Sequence, residues 1–351
     1  MSETTQGVER RENARSATYK AVEISAPGEF NVVQRPLAQP GDGQVRIRVE
    51  ACGVCHSDAV TVNGMFPGLT LPRVPGHEIV GRIEALGADV TGWKTGQRVG
   101  VGFFAGYDGT CEWCRRGDLI NCRNPVIPGI TVDGGYAEVM IAEARGLAAI
   151  PDELTPVEAA PLLCAGVTTY NALRNAGLRA GDLVAVQGIG GLGHLGIQFA
   201  RRMGFRTVAI GRGQEKERLA KQLGADYYVD TNVDDPVALL NQFGGARAIL
   251  ATAPTGKSLG PLIWGLAPRG KLVVLGVGRD PIEVDTVPLV FGGRSIYGAL
   301  TGTPIENEDT LAFSVFENIR PMIETAPLEQ AAGAYHRMMN GDARFRMVLT
   351  M

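Results

Sequence analysis

Leu183-Val184-Ala185-Val186-Gln187 runs straight into Gly188-Ile189-Gly190-Gly191-Leu192-Gly193, and an amphipathic stretch from His194 to Met203 follows. The first segment reads as a buried strand and the last as a helix. A second apolar strand, Thr207-Val208-Ala209-Ile210, comes next. A G-x-G-x-x-G is weak alone, but strand, glycines, helix and strand within about 30 residues are the context in which it binds a dinucleotide. Gly188, Gly190 and Gly193 then permit a tight turn, close approach of a pyrophosphate and close packing of the helix. The positive end of that helix faces the phosphates. Strand-like segments recur at Tyr227-Tyr228-Val229, Ala248-Ile249-Leu250-Ala251, Lys271-Leu272-Val273-Val274-Leu275 and Ser295-Ile296-Tyr297. Six strands with helices between them predict a doubly wound parallel sheet ending near residue 300. Thr255-Gly256-Lys257-Ser258 imitates the end of a phosphate-binding P-loop, but the glycine required five positions before Gly256 is replaced by Ala251.

Towards the N-terminus the texture changes. Pro151, Pro156 and Pro161 punctuate a linker-like stretch, after which Leu162-Leu163-Cys164-Ala165-Gly166 begins a helical pattern. Residues 17 to 160 carry many turn signals (Pro40-Gly41, Pro67-Gly68, Pro75-Gly76, Gly134-Gly135) between short alternating strands, which predicts a β-rich unit. One of those strands, with apolar side chains at Val45, Ile47, Val49 and Ala51, delivers Cys55, His56, Ser57 and Asp58 into a single turn. A thiolate, an imidazole, a hydroxyl and a carboxylate held by a rigid strand suit a metal site. A chance surface cluster and a redox Cys52-x-x-Cys55 pair are the other readings. The latter should open a helix within a βαβ unit, and nothing of that kind surrounds it. His77-Glu78 follows Val74-Pro75-Gly76 and precedes a strand-like Ile79-Val80-Gly81-Arg82-Ile83. Cys111, Cys114 and Cys122 form a strong zinc signal, since thiolates so spaced converge on a tetrahedral ion; Asp108, three residues before Cys111, offers a fourth ligand. Phe345-Arg346-Met347-Val348-Leu349 reads as a last strand that returns to the first unit.

At 351 residues the chain is long for one core, so two domains are expected. With 45% hydrophobic and 20% charged residues it is globular, and a net charge of −3 gives no electrostatic case for nucleic acid or an acidic membrane. No apolar run approaches the roughly 20 residues of a membrane helix. Residues 1–16 are polar, carry both charge signs and lack an apolar core, so a disordered tail rather than a signal peptide is expected. Six cysteines without a secretory signal point to metal or catalysis in a reducing cytoplasm. The expected division is a β-rich unit of residues 17–160 and 301–351 and a dinucleotide unit of residues 161–300.

In order along the chain, Gly53-Val54-Cys55-His56-Ser57-Asp58, Pro75-Gly76-His77-Glu78, the cysteine lobe, Asp133-Gly134-Gly135-Tyr136-Ala137-Glu138, Leu163-Cys164-Ala165-Gly166 and the glycine-rich turn resemble the zinc-dependent medium-chain alcohol dehydrogenases. The resemblance is to their microbial, cinnamyl-alcohol-dehydrogenase-like type and covers nearly everything after residue 16. It implies an α/β fold in which a Rossmann cofactor domain adjoins a β-rich, GroES-like catalytic domain. It implies a catalytic zinc on Cys55, His77 and Cys164, with Glu78 as an occasional ligand or close neighbour. A structural zinc would sit on Asp108, Cys111, Cys114 and Cys122, with aspartate where the family carries a first cysteine. The implied reaction is hydride exchange between an alcohol and a nicotinamide cofactor, with zinc as Lewis acid. Ser57 would accept the hydrogen bond of the bound alcohol and Asp58 would orient His77. The implied cofactor contacts are His56, Thr168, Gly188, Gly190, Gly191, Leu192, Gly193, Gly211, Arg212, Lys216, Val277 and Arg346. Phe66 and Phe103 fall where the family lines its substrate pocket, which suits primary alcohols and aldehydes.

Val60 stands where many relatives continue the proton relay with histidine. The short loop between Cys122 and Asp133 lacks the insertion of dimeric animal-type enzymes and leans towards a tetramer rather than a dimer. The acid that would bind the ribose 2′-hydroxyl of NAD falls on Gly211, followed by Arg212 and then Lys216. A neutral position beside two cations favours the 2′-phosphate of NADP over NAD. The competing readings are a zinc-free alkene or quinone reductase of the same superfamily, and a non-catalytic cofactor-binding scaffold.

Overall fold

Alternating apolar and polar residues separated by turn-forming glycines and prolines give antiparallel strands with one buried face. In the computed structural model, which describes residues 17–351, β1 (Thr18–Ile24) and β2 (Phe30–Pro36) pair in this way. The tail expected over residues 1–16 lies outside the described residues. The next strands are β3 (Gln44–Val54), β4 (Ile79–Leu86), β5 (Arg98–Val101), β6 (Val139–Glu143) and β7 (Leu147–Ala149). β4 lies along one edge of β3, β5 along β4 and β7 along β5, all antiparallel. Val45, Ile47, Val49 and Ala51 are all buried in β3. Cys52 and Val54 are buried as well.

The glycine-rich turn follows the central strand of a second sheet. Its strands are β8 (Leu183–Gln187), β9 (Arg206–Gly211), β10 (Tyr227–Asp230), β11 (Ala246–Ala251), β12 (Leu266–Val274) and β13 (Ser295–Gly298). All pairs are parallel, in the order β10-β9-β8-β11-β12-β13. The order reverses between β8 and β11, and ligands of such sheets bind in the crevice at that switch point. The helix Gly193–Arg202 starts there. After β13 the chain adds β14 (Ile323–Pro327) and β15 (Arg346–Thr350) to the first sheet, β15 pairing antiparallel with Ala51–Val54 of β3. That edge of β3 is shared, because β6 occupies Gln44–Arg48. β15 therefore runs beside the end of β3 that leads into Cys55.

The linker-like reading of Pro151 to Pro161 is corrected by the structure. A helix covers Pro156–Pro161, continues through a π-turn at Leu162–Gly166 and runs on over Val167–Arg174. Pro156 occupies the first helical position, where a missing N–H costs nothing. Thr155 and Glu158 close a capping box before it. Pro161 removes a donor inside the helix, and the wider turn follows it directly. The boundary expected between residues 160 and 161 thus falls within one continuous helix. Among the described residues no helix is long and apolar enough to cross a membrane.

Candidate active site

β3 leads directly into Cys55, which caps the short turn His56–Asp58. The Asp58 carboxylate folds back on that turn, Oδ2 accepting from the Cys55 main-chain N–H at 2.9 Å. Its Oδ1 lies 3.2 Å from Nδ1 of His77. That contact fixes the ring, which packs edge-on against Phe103 with centroids 5.1 Å apart. Nε2 of His77 is buried and has no partner. Beside it Glu78 is wholly buried, its Oε1 accepting from Nη2 of Arg346 on β15 while Oε2 has no partner. Gly53 is required here, because a Cβ at that position would overlap Oε2 of Glu78. Cys164 arrives on the π-turn, and its Sγ stands 3.8 Å from Sγ of Cys55.

The donor set fits a metal ion. One ligand atom from each of Cys55, His77, Glu78 and Cys164 lies within 4.8 Å of all the others. Two sulfurs each about 2.3 Å from a tetrahedral ion stand about 3.8 Å apart, which matches the observed separation. The orphaned Nε2 and Oε2 are the buried atoms an ion would satisfy. Protonation states follow the same logic. The Cys55 thiol is pushed down by the hydrogen bond to Cys164 and by His77, while Cys164 is pushed up by Cys55 and by burial. Burial works against a charged His77, but the Asp58 carboxylate raises it well above its ordinary value. Burial pushes Glu78 up to about 7 despite Arg346. A divalent cation would supply the positive charge that burial denies these donors.

The cysteine lobe makes a second cluster. Ligand atoms of Asp108, Cys111, Cys114 and Cys122 also lie within 4.8 Å of one another. Asp108 is prepared as an anion: Oδ1 accepts from the N–H groups of Thr110 (2.8 Å) and Cys111 (2.9 Å), and Oδ2 from Asn124 (2.8 Å). These bonds hold its carboxyl well below the usual range. Sγ of Cys122 accepts from the main-chain N–H groups of Asp108 and Asn124.

The candidate cofactor residues lie mostly around the switch point. Gly188 has φ +92°, and a Cβ on Gly193 would overlap the Gly188 carbonyl oxygen. Gly190, with Leu192 two positions on, faces open space: a Cβ there would meet nothing within 4 Å. A Cβ on Gly191 would stand 2.9 Å from Nη1 of Arg346, so this arginine spans the space between the glycine turn and Glu78. Thr168 is buried one helical turn after Cys164. Gly211 is buried at the end of β9, where a Cβ would lie 2.9 Å from Oη of Tyr228; Arg212 is exposed and Lys216 half-buried. His56 is exposed and Ser57 half-buried in the Cys55 turn, whereas Val277 is 87% exposed in the loop after β12. Three sets of contacts escaped the sequence reading: Arg346 with Glu78, His194 with Gly190 and Met322, and Tyr136 with Asp58. Tyr136 lies inside a quoted motif, but no spacing there signals a partner 78 positions away.

Comparison with known proteins agrees with this geometry. Residues 41–152 match the alcohol dehydrogenase GroES-like domain and residues 191–316 the zinc-binding dehydrogenase domain. The alcohol dehydrogenase notN of Aspergillus sp. (strain MF297-2) is 43% identical over 336 residues, covering 95% of this chain and 98% of its own. Among solved structures, a cinnamyl alcohol dehydrogenase of Sorghum bicolor superposes with a TM-score of 0.86 at 29% identity, covering 95% of this chain and 98% of its own. The CAD of Helicobacter pylori, complexed with NADP(H), superposes with 0.82 at 28% identity, with the same coverage. Two domains in the same order, relatives matched nearly end to end and a buried donor set that could hold a metal ion converge: the chain belongs to the zinc-dependent medium-chain alcohol dehydrogenases, oxidoreductases with a GroES-like and a Rossmann domain.

Proposed function

We propose that Cys55, His77 and Cys164 hold the catalytic zinc, with Glu78 as an alternate donor, and that a primary alcohol or aldehyde exchanges hydride with NADP beside it. The observation that carries this is the pair of sulfurs 3.8 Å apart facing two buried, unpartnered donors, Nε2 of His77 and Oε2 of Glu78. Zinc bound there supplies a Lewis acid that polarises a hydroxyl or carbonyl oxygen. Asp58 keeps the proton of His77 on Nδ1 and leaves the Nε2 lone pair free for the metal. Ser57, half-buried in the same turn, accepts the substrate proton and releases it towards solvent; Val60 offers no further carrier. Arg346 ties Glu78 to the turn proposed to receive the pyrophosphate, and His56 is read as a further pyrophosphate contact.

The NADP reading rests on Gly211, which carries no carboxylate, and on Arg212 and Lys216 beside it. The second cluster, Asp108, Cys111, Cys114 and Cys122, is read as a structural zinc site. Residues 17–160 with 301–351 are read as the catalytic domain and 161–300 as the cofactor domain, and the assembly as a homotetramer. Six free cysteines support a cytoplasmic location. The test is zinc content and turnover on an alcohol and aldehyde panel, with both cofactors, for the parent and for Cys55→Ala, His77→Ala and Cys164→Ala. Each variant is expected to lose one zinc and its activity while still binding cofactor. Near-parent turnover in any one of them would remove that residue from the ligand set.

A further inference from the structure

Tyr136 is wholly buried, and its hydroxyl donates to Oδ2 of Asp58 at 2.9 Å. The same oxygen receives the Cys55 main-chain N–H at 2.9 Å, and the other oxygen faces Nδ1 of His77. One carboxylate thus reaches the backbone of one candidate ligand and the ring of another, and Tyr136 is its third partner. The tyrosine ring also holds the chain leading into His77. Gly76 has φ +99°, and a Cβ there would lie 2.5 Å from the Tyr136 ring and 2.8 Å from Sγ of Cys52. Three main-chain bonds lock the two segments: Gly134 to Val74 (2.8 Å), Gly135 to Gly76 (3.1 Å) and Tyr136 to Pro75 (3.0 Å). Burial and the Asp58 charge raise the phenol well above its ordinary value, so it remains a donor.

Resting on the ligand assignment above, we propose that Tyr136 is a positioning residue of the catalytic metal site: through Asp58 its hydroxyl fixes the Cys55 turn and the His77 ring in register with each other. Without the Tyr136 hydroxyl, Oδ2 would keep only the Cys55 N–H, and the carboxylate could pivot about that single bond and change the angle at which Oδ1 meets His77. With Oδ2 held by both Tyr136 and Cys55, Oδ1 can meet His77 in only one orientation. The hydroxyl therefore acts on geometry, and the ring alone would not replace it.

The experiment uses the zinc-loaded and the cobalt-substituted full chain. Tyr136→Phe keeps the ring and removes one hydroxyl. It is expected to release the catalytic-site metal to a chelator on the order of tenfold faster, the lower range for outer partners of a ligand. It is also expected to shift the cobalt–thiolate absorption. In an Asp58→Ala background, which leaves the hydroxyl no side-chain acceptor, the further change Tyr136→Phe should leave the release rate unaltered, because the hydroxyl acts through that carboxylate. Parent-like release and spectrum in Tyr136→Phe, or the same tenfold effect in the Asp58→Ala background, would overturn the proposal. Should Tyr136→Phe fail to fold, 3-fluorotyrosine placed at 136 acidifies the hydroxyl with little change of shape. An unmoved cobalt band would then overturn it. A parent whose cobalt band is indifferent to Cys55→Ser would show instead that the ligand assignment fails, and the proposal with it.

Discussion

His194 should make the fold sensitive to acid, and replacing it with glutamine should remove that sensitivity. The side chain is wholly buried at the start of the helix that follows the glycine turn. Its Nδ1 lies 2.9 Å from the carbonyl of Gly190, so that nitrogen carries the proton and donates. Its Nε2 accepts the main-chain N–H of Met322 at 3.1 Å, just before β14 of the other sheet. Protonation would turn that acceptor into a second donor facing an N–H, in a wholly buried site and near the charge of Arg346. Burial accordingly pushes the ring down to about 4 from 6.5. A base whose folded value is depressed binds its proton first in the unfolded chain. Stability is therefore complete above the unfolded value and is lost as pH falls from about 6.5 towards 4. The gap corresponds to about 3 kcal/mol, at about 1.4 kcal/mol for each pH unit. The assay is denaturant unfolding of the parent and His194→Gln at several pH values across this window. The variant should be the less stable protein at neutral pH, and its deficit should shrink by about 3 kcal/mol at the acid end. Acid effects shared by both proteins cancel in the difference. A deficit that stays constant with pH would refute the argument.

Gly53→Ala should destabilise by about 3 kcal/mol, the scale of a broken buried ion pair, because the new methyl displaces Glu78 from Arg346; an unchanged melting temperature would show that Glu78 moves aside freely. Ser57→Ala should retain its zinc yet turn over on the order of 10²-fold more slowly, and an unchanged rate would mean that protons leave by another route. Asp108→Ala should weaken zinc retention and thermal stability more than turnover, and a parent holding a single zinc would argue against an occupied lobe. Arg212→Ala should lower kcat/KM for NADP far more than for NAD, whereas equal losses would count against the NADP reading. Arg212 is a cleaner test than Gly211, where any Cβ meets Tyr228.

What was legible in the sequence is what chemistry or steric exclusion writes into residue type. A turn with no room for a Cβ must be glycine, as Gly188 and Gly193 show, and a zinc site must draw on a short list of donors. The succession of strands along the chain and the cysteine lobe were readable on those grounds, whereas the grouping of Cys55, His77, Glu78 and Cys164 came from the family resemblance. The helix at Pro156 was not, because proline at a first helical position and proline as a breaker are the same letter. Nor does the letter sequence announce the π-turn that carries Cys164. Longer-range support is hidden for a different reason. Tyr136 meets Asp58 across 78 positions, His194 meets Met322 across 128 and Arg346 meets Glu78 across 268. A tyrosine, histidine or arginine with a distant partner looks like any other of its kind until the fold closes.

The last of these pairs shows why the two domains are interleaved in the chain. β15 joins the sheet beside β3 only after the polypeptide has traversed the whole parallel sheet. Arg346, the first residue of β15, then reaches Glu78 with one nitrogen while another lies against Gly191. A guanidinium presents several donors in a fixed plane, so a pyrophosphate arriving at the glycine turn would compete with Glu78 for the same group. Drawing Arg346 towards the phosphates would weaken its hold on Glu78, and a carboxylate freed in this way can turn towards the metal face. Arg346 would thus be one buried cation shared by the proposed cofactor and metal sites, reaching Glu78 within its own proposed domain and Gly191 in the other.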